Sequence, residues 1–161
     1  MGEPAGIMRH SFVIFCLLVM MAVSAFCQTP AARIHDEITN FCCEHFRSVM
    51  DDFFAQVTNN PDLAGHIIIY EGSRHDICST KRQAARGEID EIVRTIRNHI
   101  KFRGVDPKVF SVVKGGYRES WHAEFWVVPE GAAIPNPGPT HSSKRVNYAK
   151  RRTSRLDLRC P

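Results

Sequence analysis

The feature that most constrains the fold is a continuous apolar segment, "HIIIY", at residues 66–70. A strand with one face in water alternates apolar and polar residues, whereas an unbroken apolar run is typical of a strand covered on both faces. The segment therefore predicts a central β-strand. It is followed by Gly72 and by polar residues up to Cys78, which predict a loop at one end of the sheet.

Two helices are predicted from apolar residues that recur three and four positions apart. The first follows a cap at Thr39 or Asn40 and ends before Pro61. The second begins near Ser79 or Thr80, where Thr80 and Gln83 fit a capping box, and ends at Gly104. The first buries Phe46, Met50, Phe53, Phe54 and Val57; the second buries Ala85, Ile89, Ile92, Val93, Ile96 and Ile100.

Further strands are predicted at residues 109–113 and 121–128, with a short strand at 32–38. In the last long strand, Trp121 and Phe125 share one face, whereas His122, Glu124 and Trp126 share the other. The order βαβαββ predicts an α/β fold, a small two-layer sandwich with two helices on one face of a mixed β-sheet.

Residues 1–27 are predicted to be a signal peptide rather than part of the fold. Arg9 and His10 precede an apolar run at residues 12–23, and small residues follow. Cleavage after Ala25 and cleavage after Cys27 both fit. The run is too short for a stable membrane anchor, so we expect no transmembrane span after cleavage. An exported chain meets an oxidising compartment, where disulfides form.

Residues 130–161 are predicted to be a disordered tail, separate from a domain at 28–129. Four prolines lie within residues 129–139, and a basic polar run follows. The net charge is −1 for residues 28–129 and +5 for 130–161, so no nucleic-acid partner is expected of the domain. We expect a stiff tail held away from the domain, whose deletion leaves the melting temperature nearly unchanged. Five tail cations are candidates for binding polyanions, the alternative being a solubilising tail: Lys144, Arg145, Lys150, Arg151 and Arg152.

Residues 38–128 resemble the OmpA C-terminal-like family of cell-wall-binding domains. The segment "MDDFFAQVTNNPDLAGHIIIYEG" is similar to that family's helix, Asn-Pro turn and second strand. The segment "IDEIVRTIRNHIKFRGVDPKVFSVVKGGYRES" resembles its second helix, third strand and glycine turns, and "HAEFWVV" resembles its last strand. The "GGYRE" ending also resembles small exported bacterial proteins of unassigned function. The resemblance implies a protein of the periplasm, cell envelope or extracellular space, with peptidoglycan as the partner.

Two departures from the family qualify that expectation. The family binds diaminopimelate with an Asp after the second strand and an Arg in the second helix. Those positions fall near Gly72 or Ser73 and near Glu91, so neither residue is matched. We therefore expect weak peptidoglycan binding or none, with another envelope polymer as the alternative partner.

The polar loop and the start of the second helix supply a candidate ligand site. Strand ends and helix amino ends favour anions, and the loop carries charges of both signs. The alternative is a solvated loop whose charges pair locally. The candidate ligand-binding residues are Glu71, Arg74, Asp76, Arg82 and Arg86.

The predicted topology brings the start of the first helix and the loop after residue 70 to the same end of the sheet. We therefore expect a disulfide between Cys78 and either Cys42 or Cys43. The same cysteines with His75 have the ligand types of a zinc cluster, and Cys78 near His75 is the alternative catalytic thiol. Cys160 is left as an odd thiol.

These observations together predict an exported, non-catalytic binding module of the cell envelope. No Ser/His/Asp motif, spaced carboxylate pair or Gly-rich phosphate loop stands out in the sequence, and no cofactor or metal is predicted. A secreted hydrolase or thiol enzyme, and a structural protein tethered by its basic tail, are the alternatives.

Overall fold

A computed structural model of the chain describes residues 30–78 and 80–149, apart from the side chains of residues 76, 77 and 80. The predicted signal peptide, Lys150, Arg151, Arg152 and Cys160 lie outside the described residues. The strands are β1 (Arg33–Ile38), β2 (Leu63–Glu71), β3 (Arg74–Ile77), β4 (Thr80–Gln83), β5 (Phe110–Tyr117) and β6 (His122–Pro129). The helices are α1 (Cys43–Thr58) and α2 (Glu88–Phe102), with short 3-10 turns at Pro107–Val109 and Ser143–Arg145.

Four strands form a mixed sheet in the order β1-β6-β2-β5. Strand β6 lies antiparallel to both β1 and β2, and β2 runs parallel to β5. Strand β2, which contains the "HIIIY" segment, is therefore central, as its unbroken apolar run predicts. The α/β fold expected from the sequence is confirmed.

Both helices pack on one face of this sheet and form the main core. The predicted apolar stripe of α1 is buried, from Phe46 to Val57, and so is the stripe of α2 from Ile89 to Ile100. Trp121, just before β6, and the odd-numbered residues Ala123, Phe125 and Val127 of β6 belong to the same core. The period-2 alternation of β6 leaves its even-numbered residues on the opposite face.

The predicted start of the second helix is wrong. Residues 80–83 form strand β4, which pairs antiparallel with β3 in a separate two-stranded sheet. Helix α2 begins only at Glu88, because Gly87 has a φ of +80°, a left-handed conformation that interrupts a helix. The match of Thr80 and Gln83 to a capping box is thus coincidental, and the loop after β2 is a hairpin instead.

A disulfide joins this hairpin to the start of α1. Cys42 and Cys78 form the bond, with Cα atoms 4.4 Å apart, which resolves the choice between Cys42 and Cys43. Asn40 reinforces the contact, since its side-chain amide donates a hydrogen bond to the Cys78 carbonyl at 2.8 Å. The prediction that both segments meet at one end of the sheet is confirmed.

Residues 130–149 lie along the second face of the sheet, in contrast to the expected tail held away from the domain. The backbone N–H of Gly138 donates to the Tyr70 hydroxyl at 3.0 Å, and His141 forms an isolated bridge with Tyr117. Further along, Ala149 donates to the Ala84 carbonyl at 2.9 Å, and Val146 is buried. Proline-rich composition does not prevent this packing, because Gly138, between two prolines, and His141 and Ala149, beyond them, donate backbone hydrogen bonds to the rest of the chain.

In the part of the chain that the structure describes, neither helix has the length and apolar character needed to cross a membrane.

Candidate functional site

The parallel strands β2 and β5 end at the same edge of the sheet, next to the start of α2. In open α/β sheets, ligands bind outside such carboxyl ends. The edge carries a surface groove, which we call the carboxyl-edge groove. It is lined on one side by Gln83, Arg86, Gly87, Asp90, Glu91 and Arg94, and on the other by residues 146–149.

Tyr148 links the tail segment to the strand end. Its hydroxyl forms hydrogen bonds with the side chains of Glu71 and Tyr117, and the Arg86 guanidinium lies 5.5 Å from its ring centroid. Burial raises the pKa of Glu71, and the hydrogen bond from Tyr148 offsets only part of that rise. Burial and the adjacent Glu71 carboxylate raise the pKa of the Tyr148 phenol, so it remains a donor at neutral pH.

The groove presents charges of both signs. Arg86 and Arg94 are exposed cations, and Asp90 is an exposed anion that forms an ion pair with Lys114 of β5. Exposed guanidinium groups bind carboxylates and phosphates through several donors at once. The groove can therefore bind a ligand that carries anionic groups.

The five predicted ligand-binding residues do not form one cluster. Glu71 and Arg86 meet through Tyr148 at the groove, as described above. Arg74 forms an exposed ion pair with Glu119, 2.6 Å away. The backbone of Asp76 pairs with Lys81 in the β3–β4 hairpin.

Arg82 is turned away from the groove toward a buried ionic cluster. Its guanidinium pairs with Glu88, and the same Glu88 oxygen lies 3.0 Å from Nδ1 of His75. His75 is 1% exposed and stacks on Trp121 with ring centroids 5.4 Å apart. The second Glu88 oxygen accepts a hydrogen bond from the Ala85 backbone N–H at 2.9 Å. The cluster fastens the hairpin to the start of α2, so Arg82 is structural.

A second polar cluster lies on the other face of the sheet, around the buried carboxylate of Glu124. One oxygen accepts hydrogen bonds from the Tyr70 hydroxyl at 3.2 Å and the Trp126 indole at 3.0 Å. The other oxygen accepts a hydrogen bond from Arg118 at 2.5 Å. The guanidinium of Arg118 also lies 3.7 Å from the centroid of the Tyr70 ring. Burial on its own raises the pKa of Glu124, but the hydrogen bond from Trp126 and the charge of Arg118 outweigh it. The pKa of Glu124 therefore lies below its ordinary value.

An apolar cleft separates the two helices on the outer side of the molecule. It has a volume of about 310 Å³ and is lined by Phe41, Phe46, Met50 and Phe102 among others. Phe102 is 79% exposed. The aromatic and Met50 side chains suit an apolar ligand, and two of the charged or polar lining residues, His99 and Arg103, are already paired with Asp51. The carboxyl-edge groove instead presents two exposed arginines, Arg86 and Arg94, together with Asp90. The groove is therefore the better candidate for a charged partner.

Sequence reasoning missed Tyr148, Arg118 and Tyr70 as site residues. Tyr148 lies in the segment predicted to be a disordered tail, and Arg118 lies in the segment that resembles the family's glycine turns. The polar residues His122 and Glu124 on one face of an otherwise apolar strand are the signal that indicates a buried polar cluster.

No protein-family model matches this sequence, and neither a curated protein nor a solved structure shows significant similarity to it.

Proposed function

We propose that the chain is an exported, non-catalytic binding module of the cell envelope, and that its ligand site is the carboxyl-edge groove. The observation that carries this proposal is the convergence of exposed Arg86 and Arg94 with Asp90 beside the ends of two parallel strands. The resemblance to OmpA-like domains supports the envelope as the place of action, as does the predicted signal peptide.

The groove suits a polymer more than a small metabolite. It is an open surface groove whose two cations, Arg86 just before α2 and Arg94 within it, lie eight residues apart in sequence, so a ligand can extend beyond it at both ends. Envelope polymers carry carboxylates or phosphates at regular intervals, and peptidoglycan adds free amines. Contacts of this kind use exposed charge and weaken as salt rises.

The chemistry of the lining supports binding without catalysis. The described residues that line the groove contain guanidinium, carboxylate, amide and phenol side chains, and no serine, cysteine or histidine is among them. A serine hydrolase or a thiol enzyme requires a serine or cysteine nucleophile with a base within hydrogen-bond reach. The Cys78 sulfur, which is the candidate thiol, is held in the disulfide with Cys42.

Of the two candidate ligands, peptidoglycan and another anionic envelope polymer, peptidoglycan is the less favoured. The positions that correspond to the diaminopimelate-binding Asp and Arg hold Gly72 or Ser73 and Glu91. We therefore propose that the groove binds an anionic envelope polymer and retains peptidoglycan weakly.

A co-sedimentation assay tests the proposal with the exported chain, purified peptidoglycan and a phosphate-containing wall polymer. Arg86→Ala is expected to lower the retained fraction of protein on the phosphate polymer severalfold. Arg74→Ala is the matched control, because Arg74 pairs with Glu119 outside the groove and its loss should leave retention unchanged. Equal retention of the Arg86→Ala variant and the original chain would overturn the assignment of the groove.

A truncated chain in the same assay distinguishes binding through the groove from attachment through the basic tail. A chain that ends at Ala149 keeps Lys144, Arg145 and the whole groove but lacks Lys150, Arg151 and Arg152. Groove binding predicts that this shorter chain is retained like the longer one. Loss of retention on this truncation would instead support the tethered structural protein.

A further inference from the structure

Three side chains of metal-ligand type meet on the second face of the sheet, at the junction of β1 and β6. Glu37 of β1 and Glu124 of β6 are direct cross-strand partners, and His122 lies two residues before Glu124 on the same face. One ligand atom from each of the three lies within 4.8 Å of the others. This arrangement is outside the carboxyl-edge groove.

The pairing of Glu37 with Glu124 places like charges directly opposite each other in an antiparallel pair. Such pairs destabilise a sheet unless a cation lies between them. Arg118 pairs with Glu124, but no lysine or arginine among the described residues forms an ion pair with Glu37. The cross-strand pair therefore retains a negative charge that a bound cation would neutralise.

His122 provides independent evidence for a ligand at this position. His122 is 8% exposed, and its Nε2 atom has no hydrogen-bond partner in the described part of the chain. That nitrogen lies 3.6 Å from a Glu124 oxygen and 3.8 Å from a Glu37 oxygen, too far for a hydrogen bond to either. A buried polar atom without a partner is costly, and a metal ion between the three groups would satisfy it.

The hydrogen bonds of Glu124 leave an acceptor site toward His122. An ionised carboxylate has about four acceptor sites, two on each oxygen. Tyr70 and Trp126 use both sites on one oxygen, and Arg118 uses one site on the other. The remaining site belongs to the oxygen nearest His122. These three donors hold the carboxylate in place, as outer hydrogen-bond partners do for metal ligands in general.

The distances fit a small transition-metal ion. With ligand bonds of about 2.0–2.2 Å, two ligand atoms of a tetrahedral site lie roughly 3.4 Å apart. The separations of 3.6 and 3.8 Å from His122 to the two carboxylates are close to that value. One imidazole nitrogen with carboxylate oxygens suits Zn²⁺, and also Mn²⁺, Fe²⁺ or Co²⁺.

We propose that Glu37, His122 and Glu124 form a three-ligand site for a divalent transition-metal ion, with Zn²⁺ as the preferred ion. The Glu37 side chain is 47% exposed, so the fourth coordination position is open to solvent. The Arg118 guanidinium on Glu124 lowers the net negative charge of the set, which limits the affinity. Nothing in the sequence analysis predicts this site, because it depends on the pairing of β1 with β6.

Calorimetric titration of the chelator-treated full chain with Zn²⁺ tests the proposal. We expect saturable binding of one ion per chain, weakened at least about tenfold by Glu37→Gln. Glu130→Gln, which alters an exposed glutamate just after β6, is the matched control and should bind like the unaltered chain. The same affinity in Glu37→Gln and the unaltered chain, or the absence of saturable binding, would overturn the site.

A second measurement needs no variant and avoids interference from any free thiol of the chain, which would also bind zinc. Mn²⁺ prefers oxygen and nitrogen ligands, and it broadens the NMR signals of nearby nuclei. At low Mn²⁺, the amide signals of Glu37 and residues 122–124 should broaden first. Broadening that begins elsewhere, for example at the exposed acidic residues of α2, would contradict the proposal even if Glu37→Gln fails to fold.

Discussion

The backbone N–H of Gly138 donates a hydrogen bond to the Tyr70 hydroxyl at 3.0 Å, and that hydroxyl donates in turn to Glu124 at 3.2 Å. Tyr70 is 1% exposed and lies in the central strand. The segment after β6 is thus connected to a buried carboxylate of the sheet. The segment therefore contacts the second face of the sheet, where His122, Glu124 and Val128 of β6 are buried.

Removal of residues 130–161 is therefore expected to destabilise the protein, in contrast to the expectation from composition alone. The truncation removes the Gly138 donor from the buried Tyr70 hydroxyl and the Pro135 backbone partner from the buried His66 side chain. We expect the melting temperature to fall by about 5 °C or more, on the order of 1 kcal/mol for a domain of this size. Differential scanning calorimetry of both chains provides the measurement.

A chain that ends at Ala149 is the control for that truncation. It keeps the contacts of Gly138, Val146 and Ala149 with the sheet. Its melting temperature should stay within a degree or so of the full chain. If both truncations melt alike and at the original temperature, residues 130–149 contribute no packing.

The Cys42–Cys78 disulfide is expected to make a large contribution to stability, because it closes a loop with a sequence separation of 36. Reduction, or the double substitution of Cys42 and Cys78 by serine, should lower the free energy of unfolding by about 3–4 kcal/mol. Urea unfolding with and without reductant measures the loss. Peptide mapping without reductant should recover Cys42 linked to Cys78, whereas a Cys43–Cys78 peptide would contradict the assignment.

Two arginines of the β3–β4 region should differ sharply in their importance. Arg82 pairs with Glu88, whose side chain is only 6% exposed, so Arg82→Met leaves a buried carboxylate with His75 as its main partner. We expect that change to cost about 2 kcal/mol or more of unfolding free energy. Arg74→Met removes an exposed pair with Glu119 and should cost about 0.5 kcal/mol or less. Similar losses for both variants in urea unfolding would show that the Glu88 cluster is not buried.

The main sheet and both helices follow from local patterns in the sequence. The stripe of α1 has helical periodicity, the apolar run of β2 is unbroken, and β6 alternates, so each element carries its own signal. The β3–β4 hairpin has no such signal in the sequence, because its residues are mostly polar and pair in a sheet of only two strands. Its stability depends on the disulfide and on the buried His75, which are tertiary contacts.

The candidate sites depend even more on tertiary structure. Glu71 and Tyr148 are far apart in sequence and meet only because residues 130–149 return across the sheet. Glu37 and Glu124 become neighbours through the β1–β6 pairing, which local patterns do not specify. Composition alone predicts a disordered tail, since four prolines suggest a chain that buries little. The structure instead has Gly138 bonded to Tyr70, and beyond the prolines it has the bonded Ala149 and the buried Val146.

The last prediction concerns the pH dependence of stability at the carboxyl-edge groove. Burial raises the pKa of Glu71 above its ordinary value, so the folded state favours the protonated carboxyl group. This contribution to stability is fully present below the unfolded-state pKa of about 4.3 and is lost as pH rises through the folded-state pKa. Glu71→Gln keeps an acceptor for Tyr148 but cannot ionise, so it should not show the loss.

Urea unfolding between about pH 2.5 and pH 8 measures this difference and includes the titration range of the Asp51 control below. The free energy of unfolding of the original chain should fall relative to that of Glu71→Gln as the pH rises. Asp51→Asn is a control for which we expect the opposite pH dependence of the free energy of unfolding. Burial alone raises the pKa of Asp51, but hydrogen bonds from His99 and Arg103 outweigh it and lower the pKa overall.

The contribution of Asp51 to stability is therefore present above the ordinary aspartate pKa. It is lost as pH falls through the folded-state pKa of Asp51. The original chain should gain stability over Asp51→Asn with rising pH, whereas it should lose stability relative to Glu71→Gln. If the curves for Glu71→Gln and the original chain stay parallel across the range, Glu71 is solvated and Tyr148 does not cover it. The tail segment would then not form the second wall of the carboxyl-edge groove.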